Sequence, residues 1–247
     1  MMSIFRKKKT NKYLFPVNYV DIHSHIIPNI DDGSKTLEES VALLEKMNDL
    51  GITNFVFTPH IMEGVWENSS AKIKDHFTLL KKHLATTELK YLSIRYSAEY
   101  MLDNNFSKLL SKKDILPIKD NYILVEMSYL NPPLNLYEQL FNIQIAGYKP
   151  ILAHPERYSF LHNNFNEYTK LKEAGCKFQL NLLSLTNYYG KEVHKVALQL
   201  IKNKMIDFVG SDTHHQKHLQ ALNTIRNDKN YQKIILPLLE KNSFFNI

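Results

Sequence analysis

The sequence predicts an α/β fold of seven successive β/α units, closed as a TIM-like barrel or left as an open parallel sheet. Three observations predict it. From residue 17 onward, short β-branched or aromatic runs alternate with longer stretches of helical periodicity. Glycines stand at the junctions where a helix must stop and a strand begin. The length of 247 residues lies within the span of a single barrel. No shift in composition divides the chain after the first residues, so 17–247 read as one domain and 1–16 as a basic N-terminal tail.

The first strand falls at residues 19–22. Thr36 and Glu39 then form a capping box, in which the threonine oxygen takes an N–H of the first turn and the glutamate reaches back. Leu37, Val41 and Leu44 recur at helical spacing until Gly51 ends the run. A second strand over 52–58 precedes a helix over 70–89. Further strands are expected at 91–97, 122–126, 150–153, 177–181 and 206–210, with Gly147 and Gly175 at left-handed helix ends.

The net charge is +6 and the pI about 9.1, but the lysines are scattered among 25 acidic residues. Nucleic-acid binding is therefore not expected, whereas an anionic substrate suits the field. Cys176 is the single cysteine, which excludes an internal disulfide and a thiolate metal cluster and points to a reducing, cytoplasmic setting. It follows Gly175 among apolar neighbours and reads as a buried structural thiol. Arg6, Lys7, Lys8 and Lys9 have no apolar stretch after them, so the N-terminus does not read as a signal peptide. No window reads as a membrane span. This basic run could make weak, peripheral contact with an anionic membrane surface, although a solvated tail is the simpler reading.

The chemistry lies at the strand ends. A buried parallel strand should read as an apolar run, yet each one here ends in a polar residue, most of them of metal-binding type. The first gives Asp21-Ile22-His23-Ser24-His25, where alternation sends both imidazoles to one side. The next three deliver His60, Glu99 and Glu126, and the fifth gives His154 within Ala153-His154-Pro155-Glu156-Arg157. The sixth ends at Asn181, and the seventh leads to Asp212 and His214. In a β/α barrel these ends converge on the rim that carries active sites. His23, His25, His60, His154, His214, Glu99, Glu126 and Asp212 are more ligands than one tetrahedral ion can use. Two or three divalent ions are implied, with manganese, iron or zinc suiting nitrogen and oxygen ligands better than magnesium alone. Taken singly, a strand-end histidine is an ordinary surface or core residue and Glu126 could pair with a lysine; the coincidence along the chain argues otherwise. His83 and His194 read as surface residues, and His215 and His218 as exposed or behind the ligands. Trp66, Tyr188 and Tyr189 are either a substrate wall or packed aromatics.

Three segments together carry a family resemblance: Asp21–His25 with Asp31-Asp32-Gly33, then Ala153–Arg157, then Ser211-Asp212-Thr213-His214. In order and spacing they resemble the polymerase and histidinol phosphatase (PHP) superfamily, and within it the bacterial capsular and exopolysaccharide protein-tyrosine phosphatases. The resemblance implies a distorted seven-stranded (β/α)7 barrel with a three-metal, usually manganese-dependent site. It implies hydrolysis of phosphotyrosine on a tyrosine autokinase of polysaccharide export, by attack of a metal-activated hydroxide. Carried over by position, the eight rim residues become metal ligands, Asp32 a catalytic acidic residue that is either a ligand or a proton donor, and Arg157 the phosphate-binding arginine. Residues Ile61-Met62-Glu63-Gly64-Val65-Trp66 depart from the basic stretch of Gram-positive members, so substrate contacts there are left open.

Three other readings compete. The amidohydrolase barrel also starts with His-x-His, but it requires a lysine at strand four and a histidine at strand six, where this chain has Glu126 and Asn181. Within the PHP superfamily, a histidinol-phosphate-type phosphatase and a nuclease remain open. A non-catalytic regulator of the export machinery would not require an intact ligand set.

Overall fold

The computed structural model describes residues 14–246. It is a mixed α/β fold in which the named strands all pair in parallel, and the strand order explains how distant residues meet. Strands β1 (Val20–Asp21), β2 (Asn54–Phe57) and β4 (Ser93–Tyr96) form a three-stranded sheet in the order β1-β2-β4. Strands β3 (His60–Ile61), β5 (Glu99–Met101), β6 (Tyr122–Glu126), β7 (Lys149–Ala153), β8 (Lys177–Asn181) and β9 (Phe208–Gly210) form a six-stranded sheet in that order.

The second and third expected strands, 52–58 and 91–97, appear as β2 and β4, and each is followed by a short strand that was not expected, β3 and β5. Pro59, which has no N–H to give, separates β2 from β3, and Ser97-Ala98 separate β4 from β5. Backbone bonds nevertheless continue across both breaks: Thr58 N–H donates to Ser24 O (2.9 Å), Ser97 N–H to Phe57 O (2.8 Å) and Glu99 N–H to Pro59 O (3.0 Å). At the far side, Asp212 N–H donates to His23 O (2.7 Å) and His25 N–H to Thr213 O (2.9 Å), with a parallel bridge between Ser24 and Thr213. The segment beyond β1 therefore lies beside the segment beyond β9.

The helices are α1 (Leu37–Asp49), α2 (Ser70–Leu84), α3 (Asn104–Ser111), α4 (Leu136–Ile145), α5 (Phe165–Glu173), α6 (Lys191–Lys202), α7 (Gln216–Asn227) and α8 (Lys229–Lys241). Thr36 caps α1 as expected, its oxygen accepting from Glu39 N–H, while Glu39 reaches the N–H of Lys35 instead of that of Thr36. Helix α2 stops at Leu84, short of the expected 89, because Thr86 and Thr87 turn their hydroxyls onto the carbonyls of His83 and Leu84 and so compete with further helical bonding. Gly175 has φ +84°, and a Cβ there would meet Gln144 Oε1 at 2.7 Å, so glycine alone suits this helix-to-strand turn.

Leu14 and Phe15, expected in the tail, belong to the core: both are buried, and their N–H groups donate to Leu50 O. Arg6, Lys7, Lys8 and Lys9 lie outside the described residues. Among the described residues, no helix is long and apolar enough to cross a membrane.

A second apolar cluster joins Val20, Ile22 and Val56 to Leu124, Ile151 and Ala153, with Phe245 packed among them. Asn242 fastens this arrangement from behind. Its Oδ1 accepts Val209 N–H (3.1 Å) and its Nδ2 donates to Val20 O (2.8 Å) and Val209 O (2.7 Å), linking β1 to β9. Asn242→Ala would strand these buried backbone groups. We expect a loss of about 3 kcal/mol in unfolding free energy, read as a lower urea midpoint; an unshifted midpoint would show that Asn242 does not fasten the strands.

Candidate metal centre

Every strand-end ligand named from the sequence arrives in one basin. His23 and His25 are fully buried, and each is oriented from behind. His23 Nδ1 donates to Gln179 Oε1 at 2.7 Å, and His25 Nδ1 donates to Asp31 Oδ2 at 2.7 Å. These bonds fix the tautomers and turn both Nε2 atoms forward, as an acceptor behind a metal-binding imidazole does. Asp31 also takes the N–H groups of Gly33 and His60. The loop carrying it lies so close to His25 that a Cβ on Gly33 would be 2.0 Å from His25 O.

Glu99 is central. Its Oε2 lies 3.0 Å from His23 Nε2, 3.4 Å from His25 Nε2 and 3.2 Å from His60 Nδ1, while Oε1 is 3.1 Å from His154 Nε2. Asp212 Oδ1 lies 3.3 Å from His23 Nε2 and 3.4 Å from each of His25 Nε2 and His214 Nδ1. The two histidines just past β1 and the aspartate just past β9 therefore meet, although His25 and Asp212 are 187 positions apart in the sequence. Glu126, which could have paired with a lysine, instead faces His60 Nδ1 at 2.8 Å. Asp32 Oδ1 stands 3.4 Å from His214 Nε2 and 3.6 Å from His60 Nε2, with its side chain about half exposed.

These nine residues form four overlapping groups whose ligand atoms lie within 4.8 Å of one another: His25, Asp32, His60 and His214; His23, His154 and Asp212; His23, His25 and Glu99; His60, Glu99 and Glu126. The donor set fits divalent cations. His23 Nε2, His25 Nε2, Glu99 Oε2 and His154 Nδ1 are buried and make no hydrogen bond, although three of them crowd together, and an unpaired buried polar atom is costly unless something else satisfies it.

The electrostatics agree. Burial alone would discharge His25, but Asp31 above all, with Asp212 and Glu99, raises its pKa well above the ordinary value. For His60, burial is likewise outweighed, chiefly by Glu126 and then Glu99, and the imidazole is raised to about 9. Burial pushes the Asp32 carboxyl up, yet the His214 bond and charge, then His60 and His25, hold it below the usual carboxylate range. The carboxylates thus create a site in which positive charge is favoured.

Two basin positions are backbone outliers. His154 has φ +35° and Asp212 φ +48°, the left-handed region that side chains other than glycine rarely occupy.

Above the basin a cavity of about 750 Å³ is bordered by Asp32, Trp66, Tyr129, Arg157 and Tyr189. Arg157 Nη1 donates to Asp212 Oδ2 at 2.9 Å. Trp66 and Tyr189 therefore form part of a wall, while Tyr188 packs edge-on against Tyr189 and His218. His218 is buried behind the ligands with Nδ1 3.1 Å from Asp212 O, and His215 is exposed. His194, expected at the surface, is half-buried with Nδ1 3.1 Å from Ser184 O. Cys176 is buried away from the basin, and burial lifts its thiol to about 12, so it has no nucleophilic role.

Sequence reasoning missed Gln179, the role of Asp31 and Tyr129. Gln179 carried a signal, since it stands two residues before Asn181 and shares its face of β8. Tyr129, in the loop after β6, carried none.

Fold and basin together define an α/β protein with a multi-ligand metal-type centre at the C-terminal ends of its parallel strands. Comparison with known proteins gives the lineage: residues 19–229 match the model of the family described as capsular polysaccharide synthesis, CpsB/CapC. The chain belongs to this family. It is 33% identical over 202 residues to the tyrosine-protein phosphatase CpsB of Streptococcus pneumoniae, covering 79% of this chain and 83% of that one. Identity to the tyrosine-protein phosphatase YwqE of Bacillus subtilis is 30% over 199 residues, covering 80% and 78%. Among solved structures, one from work on YwqE and CpsB, described as unique metal-dependent tyrosine phosphatases, superposes with a TM-score of 0.81 at 28% identity over 92% of this chain and 93% of that one. A histidinol phosphate phosphatase from Lactococcus lactis shares the fold, with a TM-score of 0.52 at 14% identity over 85% and 93% of the two chains.

Proposed function

We propose that this chain is a metal-dependent phosphomonoesterase acting on phosphotyrosine in a protein, with a tyrosine autokinase of polysaccharide export as its partner. The observation that carries this reading is the buried, unsatisfied ligand basin directly beneath a cavity walled by one arginine and several aromatic rings. His23, His25, His60, Glu99, Glu126, His154, Asp212 and His214 would hold two to three divalent ions, with manganese favoured and iron or zinc as alternatives. When bound, such ions supply a hydroxide near neutral pH and withdraw charge from phosphoryl oxygens.

The chain's own residues do the rest. Arg157 presents a planar fork that can hold two non-bridging oxygens of a phosphoryl group. Asp32, at the lip between His60 and His214, would either join the ligand set, which its lowered pKa favours, or first take up a proton and then give it to the leaving phenolate. Trp66 and Tyr189 offer apolar faces to an aryl group.

We read the two sheets as one distorted seven-stranded barrel of the PHP type, supported by the bonds between His23 and Asp212 and between His25 and Thr213. The chain is then a single domain with its basic tail in front, acting in the cytoplasm, where Arg6, Lys7, Lys8 and Lys9 would make weak contact with the inner membrane face.

A substrate panel tests the reading. A phosphotyrosine peptide and p-nitrophenyl phosphate should be hydrolysed with kcat/KM at least about tenfold above histidinol phosphate, the scale of one well-placed pocket contact, and nucleic acid should be untouched. Preference for histidinol phosphate would move the assignment to a small-molecule phosphatase, and no turnover with metal present would favour a non-catalytic regulator.

A further inference from the structure

Arg157 lies over two aromatic rings that come from the two neighbouring strands. The guanidinium carbon is 4.6 Å from the centroid of Tyr129 and 4.0 Å from that of Tyr189. This follows from the strand order. Arg157 follows β7, the central strand of the trio β6-β7-β8, while Tyr129 follows β6 and Tyr189 follows β8 beyond the turn at its end. The two neighbours thus send their tyrosines across the arginine.

Each jaw is itself fixed. Asn181 Nδ2 donates to both Tyr189 Oη (3.1 Å) and Asp212 Oδ2 (2.6 Å), and Asp212 Oδ2 receives Arg157 Nη1. Arginine, aspartate, asparagine and tyrosine close a ring of contacts in which the Tyr189 face returns to the guanidinium. On the other side the Tyr129 ring stands 5.9 Å from that of Tyr158, and its hydroxyl is 3.4 Å from His154 Nε2. A guanidinium between two ring faces is prevented from tilting but can slide in its own plane.

We propose that Tyr129 and Tyr189 are positioning residues that clamp the Arg157 plane, so that its free N–H groups face the cavity in the orientation a phosphoryl group requires. The inference rests on the phosphate-binding role of Arg157 proposed above. It adds the reason why one half-buried arginine can act without a lysine or a second arginine among the cavity-lining residues.

The test compares Tyr189→Phe, which keeps the ring, with Tyr189→Leu, which removes it. In the metal-free protein, labelling of Arg157 by phenylglyoxal, followed by peptide mass spectrometry with Arg95 and Arg226 as internal controls, should accelerate about tenfold in the leucine variant, the scale of one desolvated cation–π contact. In the metal-loaded protein, inhibition by inorganic phosphate should weaken by a similar factor. Tyr189→Phe should behave like wild type in both. Equal labelling rates in wild type and Tyr189→Leu would overturn the clamp, as would a phenylalanine variant as impaired as leucine, since the Asn181 bond and not the ring face would then be what matters. Should Tyr189→Leu fail to fold, Tyr129→Leu poses the same question from the other jaw. A wild type that hydrolyses no phosphomonoester would end the functional proposal, yet the labelling rates would still decide the clamp.

Discussion

Dialysis against excess chelator will abolish hydrolysis of p-nitrophenyl phosphate, and manganese will restore more of it than magnesium. The expectation follows from the ligand types. Five imidazoles converge on the basin, and magnesium prefers an all-oxygen octahedron that keeps several waters, whereas manganese accepts mixed nitrogen and oxygen donors. The same treatment should lower the melting temperature, because a ligand bound only to the folded state adds stability in proportion to the logarithm of its concentration over Kd. Without cations, Glu99 and Asp212 remain buried against imidazoles that must take up protons to compensate them. Elemental analysis on the same samples closes the test: full turnover in protein shown to be metal-free would overthrow the centre.

Arg157→Ala will reduce kcat by roughly two to three orders of magnitude, the scale observed when one preorganised donor to developing charge is removed. Arg157 donates to Asp212 Oδ2, while the contacts of Asp212 with His23, His25 and His214 run through Oδ1. Metal content should therefore barely change. Arg157→Lys should recover only part of the loss, because an ammonium is a point charge that neither grips two oxygens at once nor lies flat between two rings. Unchanged kinetics would make Arg157 a bystander of the loop, and lost metal would recast it as support for Asp212.

The basin residues were legible because each violates a local rule. An apolar run that leads straight to His60, Glu99 or His154 is unexpected of a buried parallel strand, so the sequence itself marks those positions as exceptions. Their partners were not legible for the opposite reason: Gln179 is an ordinary polar residue within a strand, and only the pairing of β8 with β9, whose continuation binds His23 through Asp212 N–H, brings its amide behind His23. The short strands β3 and β5 were equally hidden. They depend on which neighbours the segments after β2 and β4 find, and strand pairing is a property of the assembled molecule. Helix α2 ended early through two threonines whose hydroxyls chose local carbonyls, a signal present in the sequence but outweighed by the apolar period.

The left-handed backbone at His154 and Asp212 bears on how this chain can change. Both positions would relax as glycine, since residues held in that region each cost on the order of 1 kcal/mol or more. In the metal-free protein, selection for thermal tolerance would therefore favour glycine at both positions, at the expense of side chains that line the basin. A heat challenge run with the metal present works against that exchange, because a bound ion adds stability that glycine at either position would forfeit.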